Sequence, residues 1–403
     1  DFYLIIKMFN RRFICMIISI MLLLASGISL TYAEKVSNDI NDTKKSFDIN
    51  AKSGILIDSK SGKIIYGKNE NERLSPASIT KIMVMLIAME DLESKKISLE
   101  DEVTVSEKAS KMGGSQVFLE ENEVQTVENL LKAIALRSAN DASVALGEYL
   151  SGSLDLFIER MNTKAKQIGM NNTNFENPTG LPDENHYSTS YDISLMSREL
   201  MKYPKINTWL TMWMDDINVG KNKDIVQNMV NTNKMIRFYE GANGIKTGYT
   251  NDAGFCLSSS AKRGNLNLIS VVLGCETSQV RFDESRKLLD YGFANYDSLT
   301  VNKKNDNIAK IPVSKGNLKE VSIVTKDDLS ILLKKGQSGN VKKKIQLPKL
   351  IEAPIKKNQQ VGELIVLIND KEVGKVKLVS SDNIKKASFN DLFTNNFKKI
   401  ISK

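Results

Sequence analysis

Residues 78–92 are dense in Ile, Met, Val, Leu and Ala, with no helix breaker among them. A helix built on this run is apolar almost all round, so no face of it can be given to water. The run predicts a helix enclosed by its own domain, and the flanking chain must supply the enclosure. Ahead of it, two apolar runs at 54–58 and 63–66 surround the turn signal Ser61-Gly62, which predicts a β-hairpin. Behind it, helical periodicity recurs at 126–137, 141–150, 153–168 and 190–203. Strand patterns return at 245–249, 254–260 and 266–273, and a helix follows at 280–293. Strands, a helical middle, then strands and a closing helix imply one α/β (α+β) sandwich-like domain over 51–298. Its first and last strands are expected to share a sheet.

From residue 299 the texture changes. Short Val/Ile runs at 308–313, 319–325, 329–333, 362–367 and 373–378 are punctuated by turn residues such as Lys335-Gly336 and Asn369-Asp370. This predicts a small all-β domain over 299–387. In the last stretch, 388–403, Phe389, Leu392, Phe393, Phe397, Ile400 and Ile401 fall on one helical stripe beside Lys398, Lys399 and Lys403. A short basic amphipathic helix suits an anchor lying in a membrane interface and is too polar to span a bilayer. A helix docked on its own domain is the alternative. At 403 residues, the chain is in any case too long for one compact core.

Charge is divided along the same lines. The formal net charge is +8, made of +2 over residues 1–33, −6 over 34–302 and +12 over 303–403. All 22 basic residues of the last segment are Lys, with no Arg to grip guanine edges or phosphates bidentately. Few aromatics are interleaved for base stacking. A nucleic-acid partner is therefore excluded, and a polyanionic membrane or cell-wall surface is the expected neighbour. At the other end, Arg11 and Arg12 precede an apolar stretch from Phe13 to Leu24, and Thr31-Tyr32-Ala33 comes before Glu34. That is the pattern of a secretory signal peptide starting at Met8, followed by a polar linker to residue 50. Cys15 falls within it, leaving Cys256 and Cys275, both in apolar strand-like runs and expected to be buried free thiols.

The chemistry is bounded by a single His, His186. One imidazole cannot furnish a multi-His zinc site, and any hydrolytic mechanism has to find its base elsewhere. Three short motifs offer one. Ser78-Ile79-Thr80-Lys81 opens the enclosed helix after Pro76, and residues i and i+3 share a helix face, so hydroxyl and amine can meet. A free N–H at the helix start can aim at a developing oxyanion. An amine in such apolar surroundings has a lowered pKa and can serve as base. Ser138-Ala139-Asn140 lies between two helical patterns, where its hydroxyl can relay a proton and its amide orient a carbonyl, or where either residue simply caps the next helix. Lys246-Thr247-Gly248 ends an apolar strand after Gly244. Lys neutralises a carboxylate, Thr adds a hydroxyl, and Gly permits close backbone approach. Each motif alone is weak, but the three in this order, with starts 60 and 108 residues apart, are a strong signal.

The set resembles the active site of penicillin-binding proteins and serine β-lactamases. The wider sequence is similar to the low-molecular-mass D-alanyl-D-alanine carboxypeptidases of Firmicutes, sporulation-associated ones included. The matching runs are Pro76 to Lys81, Arg137-Ser138-Ala139-Asn140-Asp141-Ala142, Asn177-Pro178-Thr179-Gly180-Leu181 and Asn243 to Thr250. Ala353-Pro354-Ile355 through Val361-Gly362 resembles that family's C-terminal domain.

The resemblance implies a penicillin-binding fold and removal of the terminal D-alanine from peptidoglycan stem pentapeptides through an acyl-enzyme on Ser78, with β-lactams as inhibitors. Lys81, Ser138 and Asn140 are implied as catalytic. Lys246, Thr247, Gly248, Tyr249 and Arg281 are implied as substrate-binding, with the N–H groups of Ser78 and Tyr249 as oxyanion hole. No metal or cofactor is implied. The expected location is the outer face of the membrane or the cell wall. Two departures stand out: Ala139 replaces the Gly of many relatives, and Tyr249 follows the third motif where some carry His. The rival readings are a β-lactamase, with Glu176 the candidate for activating water, and a catalytically silent peptidoglycan-binding protein.

Overall fold

The computed structural model describes residues 47–336 and 341–388. The expected signal peptide lies outside them, as do most of the linker and all but the first residue of the expected C-terminal helix. The described residues from Ala51 onward belong to one compact unit.

β1 (Ser53–Asp58) and β2 (Ile64–Lys68) form the N-terminal hairpin. A four-residue 3-10 turn, Ala77–Thr80, leads into α1 (Lys81–Glu93), and every residue from Lys81 to Met89 is buried. The apolar run therefore forms the enclosed helix its composition demands, but Ser78 precedes the α-helix proper. β3 (Glu102–Thr104) pairs with β4 (Val124–Thr126). Next come α2 (Val127–Arg137), α3 (Asn140–Ser151), α4 (Leu154–Gln167) and α5 (Ser190–Leu200). Their starts follow capping chemistry, with the side chains of Thr126, Ser153 and Thr189 accepting from the N–H three residues on. An antiparallel hairpin of β5 (Met214–Val219) and β6 (Ile225–Val230) has no counterpart in the sequence reading.

β7 (Ala242–Thr250), β8 (Gly254–Arg263) and β9 (Leu266–Cys275) complete a five-stranded antiparallel sheet in the order β2-β1-β9-β8-β7, closed by α6 (Ser278–Asn295). The first hairpin thus joins the last strands, as the pattern required. Side chains alternate across a strand, so each face can be assigned. Ile55, Ile57, Ile269 and Val271 join the large core containing α1. On the other face α6 comes so close that a Cβ on Gly292 would lie 2.4 Å from Leu268 and 3.1 Å from Leu56. Burial on both faces explains why β1 is buried at all six positions and not at alternate ones. Cys256 and Cys275 are buried and free.

β10 (Tyr296–Asn302) starts where α6 ends. The β domain comprises β11 (Asn307–Ser314), β12 (Glu320–Thr325), β13 (Leu329–Lys334), β14 (Val341–Gln346), β15 (Ile351–Glu352), β16 (Gln360–Ile368) and β17 (Lys371–Ser380). Six strands make a sheet in the order β14-β16-β17-β12-β11-β15, and β10 pairs with β13. Its core, including Ile323, Ile331, Val366 and Leu378, is separate from that of the first domain.

Candidate active site

The Ser78–Lys81 pair comes from the geometry of a single turn. Residues three apart eclipse on a 3-10 helix, which stacks the two side chains. Lys81 Nζ lies 3.0 Å from Ser78 Oγ. Ala77, just before Ser78, is fully buried at φ 48°, a left-handed conformation that costs a non-glycine residue about 1 kcal/mol or more and that the surrounding packing holds in place. Lys81 Nζ also donates to Asn140 Oδ1 at 2.7 Å and to the Thr179 carbonyl at 2.6 Å. Those two partners can only accept. In the neutral amine they take both N–H hydrogens, which leaves the lone pair for the hydroxyl of Ser78.

Burial is the main force pushing the Lys81 pKa well below the usual lysine range. The Lys246 charge adds to it, and Asp141 opposes it. Asp141 is fully buried and accepts from the N–H groups of Val117 and Leu119 at 3.2 and 3.1 Å. Beside it, Asn140 Nδ2 donates to the Gly113 carbonyl at 2.6 Å, which turns its oxygen toward Lys81. The loop at 113–119 thus orients the second motif. Ser138 is the left-handed residue ending α2, at φ 64°. Ala139 stands at the N-cap of α3 without a side-chain cap bond, so neither Ser138 nor Asn140 serves as the cap. The buried hydroxyl of Ser138 has no hydrogen-bond partner among the described residues.

The third motif lies on β7, the edge strand. Alternate backbone groups along an edge strand have no partner in their own sheet and can receive an extended peptide. Gly248 packs directly on the turn that carries Ser78, where a Cβ would meet the Pro76 carbonyl at 3.0 Å and Ala77 Cβ at 3.2 Å. The close approach needed here is between two parts of the protein itself. Thr247 Oγ1 bonds Thr232 Oγ1 at 2.8 Å. Lys246 is buried and donates to the Thr247 carbonyl at 3.1 Å. Burial first, then the charge of Arg281, lowers its pKa to about 7. Arg281 donates to the Gly248 carbonyl at 3.0 Å and so braces the strand from α6. Tyr249 is half exposed and stacks on Phe255 with centroids 4.3 Å apart.

All three motifs therefore converge, and a fourth segment, to which the sequence reading gave no role, joins them. In Asn177-Pro178-Thr179-Gly180-Leu181, Asn177 Oδ1 accepts from the N–H groups of Thr179 and Gly180 at 3.1 and 2.8 Å and aims the Thr179 carbonyl at Lys81. Gly180, at φ 79°, passes so close to the Ser78 turn that a Cβ would sit 1.8 Å from the Ala77 carbonyl oxygen. The Asn-Pro-x-Gly turn signal was visible in the sequence, but its use as a backbone acceptor was not. His186 pins this segment from behind. Its Nδ1 accepts the Glu176 N–H at 3.1 Å, so the proton sits on Nε2, 2.8 Å from Thr80 Oγ1. Burial lowers its pKa to about 4. Glu176 itself is exposed, its carboxylate held by Asn174 at 2.7 Å, and it makes no hydrogen bond to Ser78 or Lys81.

A family model described as D-alanyl-D-alanine carboxypeptidase matches residues 39–277. The chain belongs to this family. The C-terminal domain of penicillin-binding protein 5 matches residues 296–386 of the carboxypeptidase. Over 340 residues the enzyme is 45% identical to the D-alanyl-D-alanine carboxypeptidase DacF of Bacillus subtilis, covering 84% of this chain and 87% of that one. It is 33% identical to DacC of Escherichia coli over 352 residues, 85% of this chain and 86% of the relative. The structure of penicillin binding protein 5 from Haemophilus influenzae superposes with a TM-score of 0.70 at 32% identity, covering 84% of this chain and 99% of that one. A mixed α/β catalytic domain followed by a β domain is the shared architecture.

Proposed function

We propose that this serine-type D-alanyl-D-alanine carboxypeptidase works through an acyl-enzyme on Ser78. Ser78 Oγ attacks the carbonyl between the two terminal D-alanines of a stem pentapeptide, and neutral Lys81 takes its proton. The resulting tetrahedral oxyanion lies against the N–H groups of Ser78 and Tyr249. The leaving D-alanine receives a proton through Ser138, whose buried hydroxyl has no other partner among the described residues. Asn140 orients the peptide, while Lys246 and Thr247 hold the terminal carboxylate on the edge strand that Gly248 and Arg281 keep in place. Water then hydrolyses the ester, with Lys81 again the base. A β-lactam acylates the same hydroxyl. No metal or cofactor enters the scheme.

The observation carrying this reading is the Lys81 amine, 3.0 Å from Ser78 Oγ with both other bonds made to carbonyl oxygens. Purified enzyme and a Ser78→Ala variant, given a pentapeptide ending in D-Ala-D-Ala, test it. The wild type releases D-alanine and takes up labelled penicillin, and the variant does neither. Release by the variant rules out Ser78 as nucleophile. For location, the basic-apolar-small pattern of residues 8–33 supports export, and the stripe at 388–403 supports attachment to an anionic membrane surface. Among the described residues no helix is long and apolar enough to cross a membrane. Deleting 388–403 shifts the enzyme from the membrane to the soluble fraction, and unchanged partition removes the anchor. The sporulation association is carried by the resemblance alone.

A further inference from the structure

Where the β domain meets the catalytic domain the surface opens into a cleft of about 840 Å³, lined by none of the residues assigned to the active site. Seven basic and two acidic side chains line it. One wall is the turn between β1 and β2 together with α5, and the other is made by the segment after β10, the β12–β13 turn and β17. Lys60, Lys63, Lys304 and Lys377 are exposed, and none of the four makes an ion pair among the described residues. Only Lys60 has a side-chain hydrogen bond there, a 3.4 Å contact to Thr300 Oγ1. Of the two acids, Asp328 accepts the Lys304 backbone N–H at 2.7 Å. The cleft thus keeps a surplus of cations over its two acids, Asp327 and Asp328.

We propose that this cleft binds successive phosphodiester groups of a linear anionic polymer. Three features favour that ligand. The cations are spread over both domains, a layout that one phosphate cannot satisfy and a chain of them can. The single guanidinium, Arg198, is already engaged, donating from Nε to the Ser59 carbonyl and from Nη2 to the Lys60 carbonyl, each at 2.8 Å. The remaining cations are ammonium groups, point charges that meet phosphate oxygens approaching from many directions. Arg198 also fixes the turn that presents Lys60 and Lys63, lying 3.2 Å from where a Cβ on Gly62 would be. The β domain adds Lys304, Lys375 and Lys377 to the cations of that turn.

The test uses the full chain and a short poly(glycerol phosphate), with binding followed by calorimetry across a salt series. The quadruple variant Lys60→Gln, Lys63→Gln, Lys304→Gln, Lys377→Gln is expected to weaken binding about tenfold or more and to flatten the salt dependence by about two to four counterions. The matching Lys→Arg quadruple retains binding, which separates charge from misfolding. A control with Lys349, Lys356, Lys357 and Lys386 changed to Gln carries the same charge change outside the cleft and keeps wild-type affinity. D-alanine release is unchanged in all of them. Equal loss in the control overturns the proposal, because binding then follows net charge and not the cleft. Equal affinity for polyglutamate of matched charge also overturns it, as does binding confined to phosphatidylglycerol vesicles with none to the soluble polymer.

Discussion

The Thr179 carbonyl oxygen lies 2.6 Å from the Nζ of Lys81, which makes a backbone atom from a loop nearly a hundred residues away a fixed partner of that amine. With Asn140 Oδ1 it holds the amine by its hydrogens, so the lone pair has one direction left. Lys81→Gln preserves a donor to these carbonyls and removes the base. Acylation of Ser78 by labelled penicillin is then expected to slow about 10²–10⁴-fold, the usual share of general base catalysis. Raising the pH should not restore it. A variant that acylates at the wild-type rate would contradict the assignment.

Gly180 allows that loop to lie against the nucleophile turn. Gly180→Ala places a methyl group where the Ala77 carbonyl oxygen stands 1.8 Å away, at a φ of 79°. Neither backbone can yield without moving Ser78 or Lys81. The expected cost is on the order of 3 kcal/mol or more, seen as a lower denaturant midpoint together with lost penicillin uptake. Wild-type stability in the variant would mean that the two segments are further apart in solution.

Lys246 sets the alkaline side of the activity. Its pKa is lowered to about 7 by burial and by Arg281, so the free enzyme loses the charge that receives a carboxylate as the pH climbs through neutrality. kcat/KM for D-Ala-D-Ala peptides is expected to fall above about pH 7. The limb in kcat should lie higher, because bound carboxylate favours the ammonium form. A guanidinium keeps its charge, so Lys246→Arg moves the limb in kcat/KM upward. Parallel rate profiles of the two enzymes check this, and an unmoved limb assigns the titration to another group.

His186 links stability to pH. It is neutral in the folded enzyme down to about pH 4, whereas its ordinary value is 6.5. Between those values the unfolded chain binds a proton that the folded chain refuses, so the stability present above 6.5 is lost as pH falls toward 4. The loss is on the order of 3 kcal/mol. His186→Gln can accept from Glu176 and donate to Thr80 without titrating. Denaturant midpoints at about pH 7 and 4.5 should therefore converge in the variant relative to wild type, and identical pH dependence in the two would count against the pin.

The parts legible in the sequence were those fixed by residue type. The unbroken apolar run gave α1, period-two runs around Ser61-Gly62 gave the first hairpin, and three short motifs marked side chains that the fold brings together. The β5–β6 hairpin escaped because Asp215 and Asp216 interrupt its pattern and Met214, Ile225 and Val226 point outward. β14 escaped because Lys342-Lys343-Lys344 leaves it exposed at all six positions, and only pairing with β16 makes it a strand. In the site, the Thr179 carbonyl could not be foreseen, since a backbone acceptor carries no signature of residue type. The depressed pKa of Lys246 likewise depends on Arg281, which is close only in the folded chain.

The enclosure of α1 has one more consequence. Many enzymes keep their reactive groups on margins that fray independently of the rest. Here the Lys81 amine occupies the first position of a helix whose opening nine residues are all buried, eight of them in the main core. No partial opening can release Lys81 while leaving the domain intact. Loss of function and loss of structure should therefore be one cooperative event, with inactivation and unfolding curves superimposed.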